Sequence, residues 1–211
     1  MTTCVVFGRE PVPGKVKTRL AAGIGDDAAA RVYAVLLDRT LEIAAEGEGR
    51  VILSLAETPN PSWAAGLGVR FEVQPGGDLG ERMANAFERR FDEGDQRVVV
   101  VGSDCGGATP RHIASATSAL EWAQVALGPV RDGGYWLVAQ RRPGVDVFKG
   151  IPWSTAATMS VTRERLTALS VTWAEIEEIG DIDTEADLRA FLDDPRAPRE
   201  FKRRLCDAIG G

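Results

Sequence analysis

The run Val98-Val99-Val100-Val101-Gly102-Ser103-Asp104 constrains this chain more than any other stretch. Four consecutive β-branched residues fit a strand buried on both faces, which is the central position of a sheet covered by helices on two sides. Gly102 lets the backbone turn at its end. Asp104 then lies just past the carboxyl end of a central strand, where open α/β sheets place their ligands. The same aspartate also suits a turn before Thr109-Pro110, which reads as an N-cap followed by a proline at the first helical position.

At 211 residues, 44% of them hydrophobic, the chain can fill one substantial core and is short for two, so one domain over residues 1–211 is expected. A net charge of -6 argues against nucleic-acid binding, which relies on a basic field. The three cysteines, Cys4, Cys105 and Cys206, lack metal-ligand spacing and suggest no disulfide framework, so a reducing cytoplasm is expected. No apolar run approaches the roughly 18 residues needed to span a bilayer, and no membrane partner is expected.

Thr3 to Phe7 reads as the first buried strand, and the loop after it is unusual. Gly8-Arg9-Glu10-Pro11-Val12-Pro13-Gly14-Lys15-Val16-Lys17-Thr18-Arg19-Leu20 sets four basic side chains against one acid and stiffens the backbone with two prolines. A rigid basic loop after a first strand suits phosphate, or a solvated turn. It is not a Walker A loop, because five residues separate Gly8 from Gly14 and Val16 stands where a hydroxyl would hold magnesium.

Asp26 or Asp27 is expected to cap a helix to about Ala45, with Ala29, Val32, Leu36 and Thr40 on its buried stripe. Strands are expected at 51–55, 69–73 and 123–127, with an apolar strand ending near Ala139. The glycine-rich turn Gln74 to Met83 is expected to open a helix of about three turns ending near Asp92, and helices are expected from Pro110 to about Trp122, from about Ala156 to Leu169 and from Glu185 to Leu192. Ser154 or Thr155 would cap the 156–169 helix, and Thr184 with Asp187 resembles a capping box. Residues 199–209 read as a solvated surface helix, and Trp63 as an anchor of the core or of a lid. Asp132-Gly133-Gly134 is either a hairpin turn or a place where substrate lies against the backbone. His112, in a first helical turn, makes a poor catalytic partner for Cys105. Strands alternating with helices imply an α/β, three-layer α/β/α sandwich with a mainly parallel central sheet. Its candidate ligand groups all follow strands.

A polyphosphate needs its charge neutralised before an oxygen nucleophile can approach phosphorus, and a basic loop plus a carboxylate-held Mg²⁺ does that. Asp104 and Asp183 suit such an ion. The motifs Phe7-x-Arg9-x-Pro11-x-Pro13-Gly14-x-Val16-Lys17-Thr18-Arg19-Leu20, Gly77-Asp78-Leu79-Gly80-Glu81-Arg82-Met83, Gly102-Ser103-Asp104-Cys105, Gly128-Pro129-x-x-Asp132-Gly133-Gly134-Tyr135-Trp136-Leu137, Trp153-Ser154-Thr155 and Asp181-x-Asp183-Thr184 together resemble a bacterial glycosyltransferase-like family. That family is similar to the 2-phospho-L-lactate guanylyltransferases, within the nucleotide-diphospho-sugar transferase superfamily and its type A glycosyltransferase (GT-A), Rossmann-like fold. The likeness runs from residue 5 to about 188. It implies that Arg9, Gly14, Lys17, Arg19, Gln74, Gly77 and Asp78 bind nucleotide, with Lys17 and Arg19 on the phosphates and acting in catalysis. It further implies that Asp104 and Asp183 hold Mg²⁺ or Mn²⁺ and that Asp132 faces the acceptor as a catalytic group. Arg82, Gly133, Gly134, Tyr135, Trp153 and Ser154 would lie on the substrate side. Gly106 departs from the proline usual after Gly-Ser-Asp-Cys.

Three functions follow as expectations. The first is a nucleotidyltransferase moving NMP from an NTP to a small phosphorylated or hydroxylated acceptor, with release of pyrophosphate. The second is a glycosyltransferase using a nucleotide-sugar, and the third a noncatalytic nucleotide-binding module. A single aspartate after the central strand, where type A glycosyltransferases generally carry Asp-x-Asp, favours the first.

Overall fold

The structure is a computed structural model and describes residues 1–47 and 49–210. Val98–Val101 stand at its centre, in β4 (Arg97–Gly102). Among the described residues β4 is the fourth of seven strands in one sheet, with β1 (Thr2–Gly8), β2 (Arg50–Leu55), β3 (Arg70–Val73), β5 (Val125–Pro129), β6 (Tyr135–Arg141) and β7 (Trp173–Glu175). Their order is β3-β2-β1-β4-β6-β5-β7. β1 pairs parallel with β2 and β4, β2 with β3, and β5 with β7, whereas β6 runs antiparallel to β4 and β5.

Successive side chains of a strand point to opposite faces. Val98 and Val100 therefore join Val5, Leu127 and Val138 on one face, and Val99 and Val101 join Val6, Leu53 and Leu137 on the other. The first face is covered by α4 (Leu79–Asp92) and α6 (Thr158–Ala168) through Met83, Phe87, Phe91, Met159 and Leu166. The second is covered by α2 (Asp26–Ala45) and α5 (Pro110–Ala119) through Tyr33, Leu37, Ile113 and Ala116. This is the expected three-layer sandwich.

Several local expectations change. The basic segment does not stay a loop to Leu20, because Thr18 opens the short helix α1 (Thr18–Ile24). Neither Asp26 nor Asp27 caps α2: Gly25 holds that position without a side-chain bond, and both aspartates sit in the first turn, where the helix dipole favours negative charge. Neither Ser154 nor Thr155 is the N-cap of α6, which is Ala157; Thr155 Oγ1 instead accepts from the Ala157 amide in the turn before it. α5 stops at Ala119, leaving Trp122 exposed beyond it. A short helix, α3 (Pro61–Ala64), begins on an Asn60 cap, and in it Trp63 packs against the margin of the core. The Thr184–Asp187 capping box forms as expected at the start of α7 (Glu185–Asp193), with Asp187 Oδ2 accepting from the Thr184 amide at 2.7 Å.

The largest revision concerns α2 and the C-terminal helix α8 (Arg199–Gly210). The stripe Ala29, Val32 and Leu36 does not face the sheet; it packs against Phe201, Leu205 and Ala208 of α8, while Ala30, Tyr33 and Leu37 face the sheet. α2 is thus buried on two sides. α8 is not a solvated helix, since its apolar face forms a third core with α2 and with Leu188 of α7, and Arg204 reaches Glu42 on α2 at 2.7 Å. Leu205 is fully buried, so Leu205→Ala should cost about 2–5 kcal/mol, whereas exposed Leu169→Ala should cost well under ~1 kcal/mol. Urea denaturation of both variants is the check, and equal midpoints would remove α8 from the core.

Candidate active site

At one edge of the sheet the carboxyl ends of β1, β2, β3, β4 and β5 come together, and the strand order reverses between β1 and β4. Such a reversal leaves a crevice, because the connections from neighbouring strands depart to opposite faces. A cleft of about 670 Å³ opens there. Arg9, Lys17, Arg19, Gln74, Arg82, Asp104, Asp132, Gly134, Tyr135, Trp153, Ser154 and Asp183 all line it. Gly14, Gly77, Asp78 and Gly133 lie outside its walls. Gly14 supplies a turn at φ +76°, the Gly77 amide donates to Glu81 Oε2 at 2.7 Å, and Asp78 caps α4 by accepting from the Glu81 amide. Gly133, at φ +90°, forms the β5–β6 hairpin, where a side chain would collide with the carbonyl of Ala156.

The centre of the cleft is an ion cluster. Lys17 Nζ lies 2.9 Å from Asp104 Oδ1 and 3.6 Å from Asp183 Oδ1, and Arg19 Nη1 lies 2.6 Å from Asp183 Oδ2. Only 3% of the Lys17 side chain is exposed. Its backbone adopts the left-handed conformation (φ 48°, ψ 44°), and Ser154 across the cleft does likewise at φ 60°. Both are uncommon for residues with a β-carbon and collect where function requires a fixed position.

Backbone contacts fix the carboxylates. The Ile182 amide donates to the carbonyl of Asp104 at 3.0 Å, which ties the segment carrying Asp183 to the exit of β4. Ile182 is itself buried against Gly106, where a β-carbon would lie 2.7 Å from Ile182 Cδ1. Tyr33 on α2 joins the two strand ends: its hydroxyl accepts from the Arg9 amide at 2.8 Å and pairs with Ser103 Oγ at 2.9 Å. Burial, reinforced by the charge of Asp104, pushes the Tyr33 hydroxyl up to about 12, so it is neutral at ordinary pH.

Tyr33, Ser103 and Asp181 also line the cleft, and none of them was a candidate from the sequence. A serine beside Asp104 and an aspartate two before Asp183 were visible as motif members; a tyrosine on the second stripe of α2 carried no signal. Cys105 and His112 form no nucleophilic pair. Burial, with Asp104 nearby, pushes the Cys105 thiol well up, and His112 Nδ1 accepts from the Thr109 amide while Nε2 faces Glu177.

Asp104 and Asp183 also suit a divalent cation. Both turn an oxygen toward one point, and Mg²⁺ commonly takes one or two protein carboxylates, with phosphate and water completing its shell. Among the described residues no group of three or more His, Cys, Asp or Glu side chains is placed to hold a metal ion. Two carboxylates are a number of protein donors that Mg²⁺ takes where phosphate and water supply the rest.

Residues 36–155 match the family described as uncharacterized protein conserved in bacteria (DUF2064). The whole chain is similar to a Desulfovibrio desulfuricans protein named as a candidate nucleotide-diphospho-sugar transferase, at 30% identity and TM-score 0.90 over 99% of this chain and 96% of that one. It shares a fold with CMP:2-keto-3-deoxy-manno-octonic acid synthetase complexed with CTP, at 13% identity and TM-score 0.56 over 90% and 95% of the two chains. The inositol-1-phosphate CTP transferase of T. maritima has 13% identity and TM-score 0.54 over 100% and 97%. The fold is that of the nucleotide-diphospho-sugar transferases. No curated protein matches the chain, and among the described residues no helix is long and apolar enough to cross a membrane.

Asp181 carries a pH signature. Burial first, and then the charges of Asp132 and Asp183, raise its carboxyl above the ordinary range, against opposing pulls from a backbone N–H and Lys17. A carboxyl raised on folding favours the folded state below its unfolded pKa and loses that contribution as pH rises through the folded value. Asp181→Asn should therefore raise the melting temperature at pH 7 and leave it unchanged near about pH 3. Thermal unfolding at both pH values checks this, and destabilisation at pH 7 would contradict the assignment.

Proposed function

The chain belongs to the DUF2064 family of bacterial proteins, and from that premise we propose that it is a metal-dependent cytoplasmic nucleotidyltransferase. It moves NMP from an NTP to a small phosphorylated or hydroxylated acceptor. The observation that supports this reading is the cluster of Lys17, Arg19, Asp104 and Asp183 in a cleft at the switch point of the sheet. A rigid pair of cations opposite a pair of carboxylates suits a triphosphate that arrives with its own cation. The name of the Desulfovibrio relative and the two CTP-linked enzymes of the same fold agree with a nucleotide substrate. Likeness to 2-phospho-L-lactate guanylyltransferases rests on the motifs alone.

In this reading Arg9, Lys17 and Arg19 bind the phosphates, and Gln74 lies near the base. The Gln74 side chain is held by its Nε2 donating to the Ser54 carbonyl at 2.7 Å, which leaves Oε1 toward Arg82. Asp104 and Asp183 would hold Mg²⁺ or Mn²⁺, which offsets phosphate charge and polarises a phosphoryl oxygen when bound. An acceptor oxygen forms a bond to the α-phosphorus as the bond from that phosphorus to the bridging oxygen breaks. Pyrophosphate leaves beside Lys17 and Arg19. Where the acceptor is a hydroxyl, Asp132 takes its proton; an ionised acceptor phosphate gives up none. Tyr135 and Trp153, 6.0 Å apart edge to face, form the acceptor wall.

The absence of a carboxylate two residues after Asp104, where Gly106 stands buried, favours nucleotidyl over glycosyl transfer. The test is thermal stabilisation by a panel of nucleoside triphosphates and nucleotide-sugars with Mg²⁺ or Mn²⁺. One triphosphate at about 100 times its Kd should add roughly 2.7 kcal/mol, with pyrophosphate release once the acceptor is supplied. Lys17→Ala should weaken binding and rate together, Asp104→Ala should remove the metal-dependent part, and Asp183→Asn should mainly lower turnover. A response confined to nucleotide-sugars would replace this reading with glycosyl transfer.

A further inference from the structure

Lys17 stands where the two candidate cation ligands converge, and the fold holds it there firmly. Its neighbours Val16 and Leu20 are buried at 4% and 0% exposure in two different cores, and α1 starts at the next residue. The left-handed backbone between those anchors delivers the ammonium to Asp104 and Asp183 from a fixed point. Arg19 neutralises the remaining oxygen of Asp183. The two carboxylates are thus matched by two cations, and a divalent ion entering between them would meet an ammonium at contact distance inside a partly desolvated site.

We infer that Lys17 is the resident counter-ion of the Asp104–Asp183 pair and closes it to divalent cations until a triphosphate draws the ammonium away, so that metal enters with nucleotide rather than before it. This rests on the nucleotidyl reading of the same cleft. The triphosphate can make the exchange because it offers Lys17 and Arg19 several anionic oxygens in place of one carboxylate each, and supplies the remaining ligands that the protein lacks. Asp132 and Asp181 line the same cleft and add to its negative charge.

The test is titration of Mn²⁺ into the nucleotide-free protein, with free ion followed by electron paramagnetic resonance. Lys17→Met keeps the apolar stem and removes the charge; Lys17→Asn tolerates the left-handed backbone. Both should fold, because Asp104 is half exposed and Asp183 30% exposed beside the intact ammonium, so water can reach both carboxylates in its place, and thermal unfolding verifies it. Both variants should bind Mn²⁺ at least about tenfold more tightly than the unmodified protein, by relief of like-charge repulsion, and adding Asp183→Asn should cancel the gain. Equal affinity in the unmodified protein and the variants overturns the inference, as does a gain that survives Asp183→Asn, or no Mn²⁺ binding by any of them. A separate arm measures stabilisation by triphosphate in the presence of a chelator. Failure of that arm alone would remove the nucleotide reading while the Mn²⁺ comparison still decided whether Lys17 blocks the carboxylates.

Discussion

Val98–Val101 of β4 are buried on both faces, and satisfying that burial organises the molecule. Two faces need two covers, which α4 and α6 provide on one side and α2 and α5 on the other. A strand so enclosed has its backbone satisfied by β1 and β6 and leaves no lateral position for polar chemistry. Polar groups are displaced to the strand end, where Gly102, Ser103 and Asp104 meet the loop leaving β1. The cleft is the consequence of this displacement where the strand order reverses between β1 and β4.

What turns a crevice into a candidate catalytic site is a set of ties between segments far apart in sequence. Asp104 accepts a backbone bond from Ile182, Tyr33 bridges Arg9 and Ser103, and Lys17 bridges Asp104 and Asp183. Each tie joins the cleft to a buried anchor. Ile182 packs on Gly106 beneath α7 and α8, and Tyr33 belongs to the sheet-facing stripe of α2. The outer helix α8 therefore contributes to the geometry of the site without lining it, by holding α2 and the 182–191 segment in place.

The ion cluster is a balance of opposed requirements. Carboxylates that are to share a cation with phosphate must converge, yet convergence without a partner is unfavourable in a partly buried cleft. Lys17 and Arg19 meet that need by pairing with Asp104 and Asp183. Ammonium and guanidinium groups form strong charge-assisted bonds with carboxylate and with phosphate alike, so the same side chains suit either kind of partner.

By itself the sequence determined the sheet class, the central strand, most helices and the motifs that carry the cleft, because alternation of hydrophobicity, glycine turns and capping residues are local signals. The tertiary structure decided which motif residues meet. Gly14, Gly77, Asp78 and Gly133 proved to shape turns and a helix start rather than line the cleft, since motif membership records spacing and not direction. The stripe Ala29, Val32 and Leu36 was legible, but its partner was not: a helix buried on two sides shows the same periodicity whichever layer it faces, so only packing revealed α8 as part of the core. The pairing of Lys17 with Asp183 spans most of the chain, and a contact between residues so distant arises from how the layers close around β4, which no local pattern encodes.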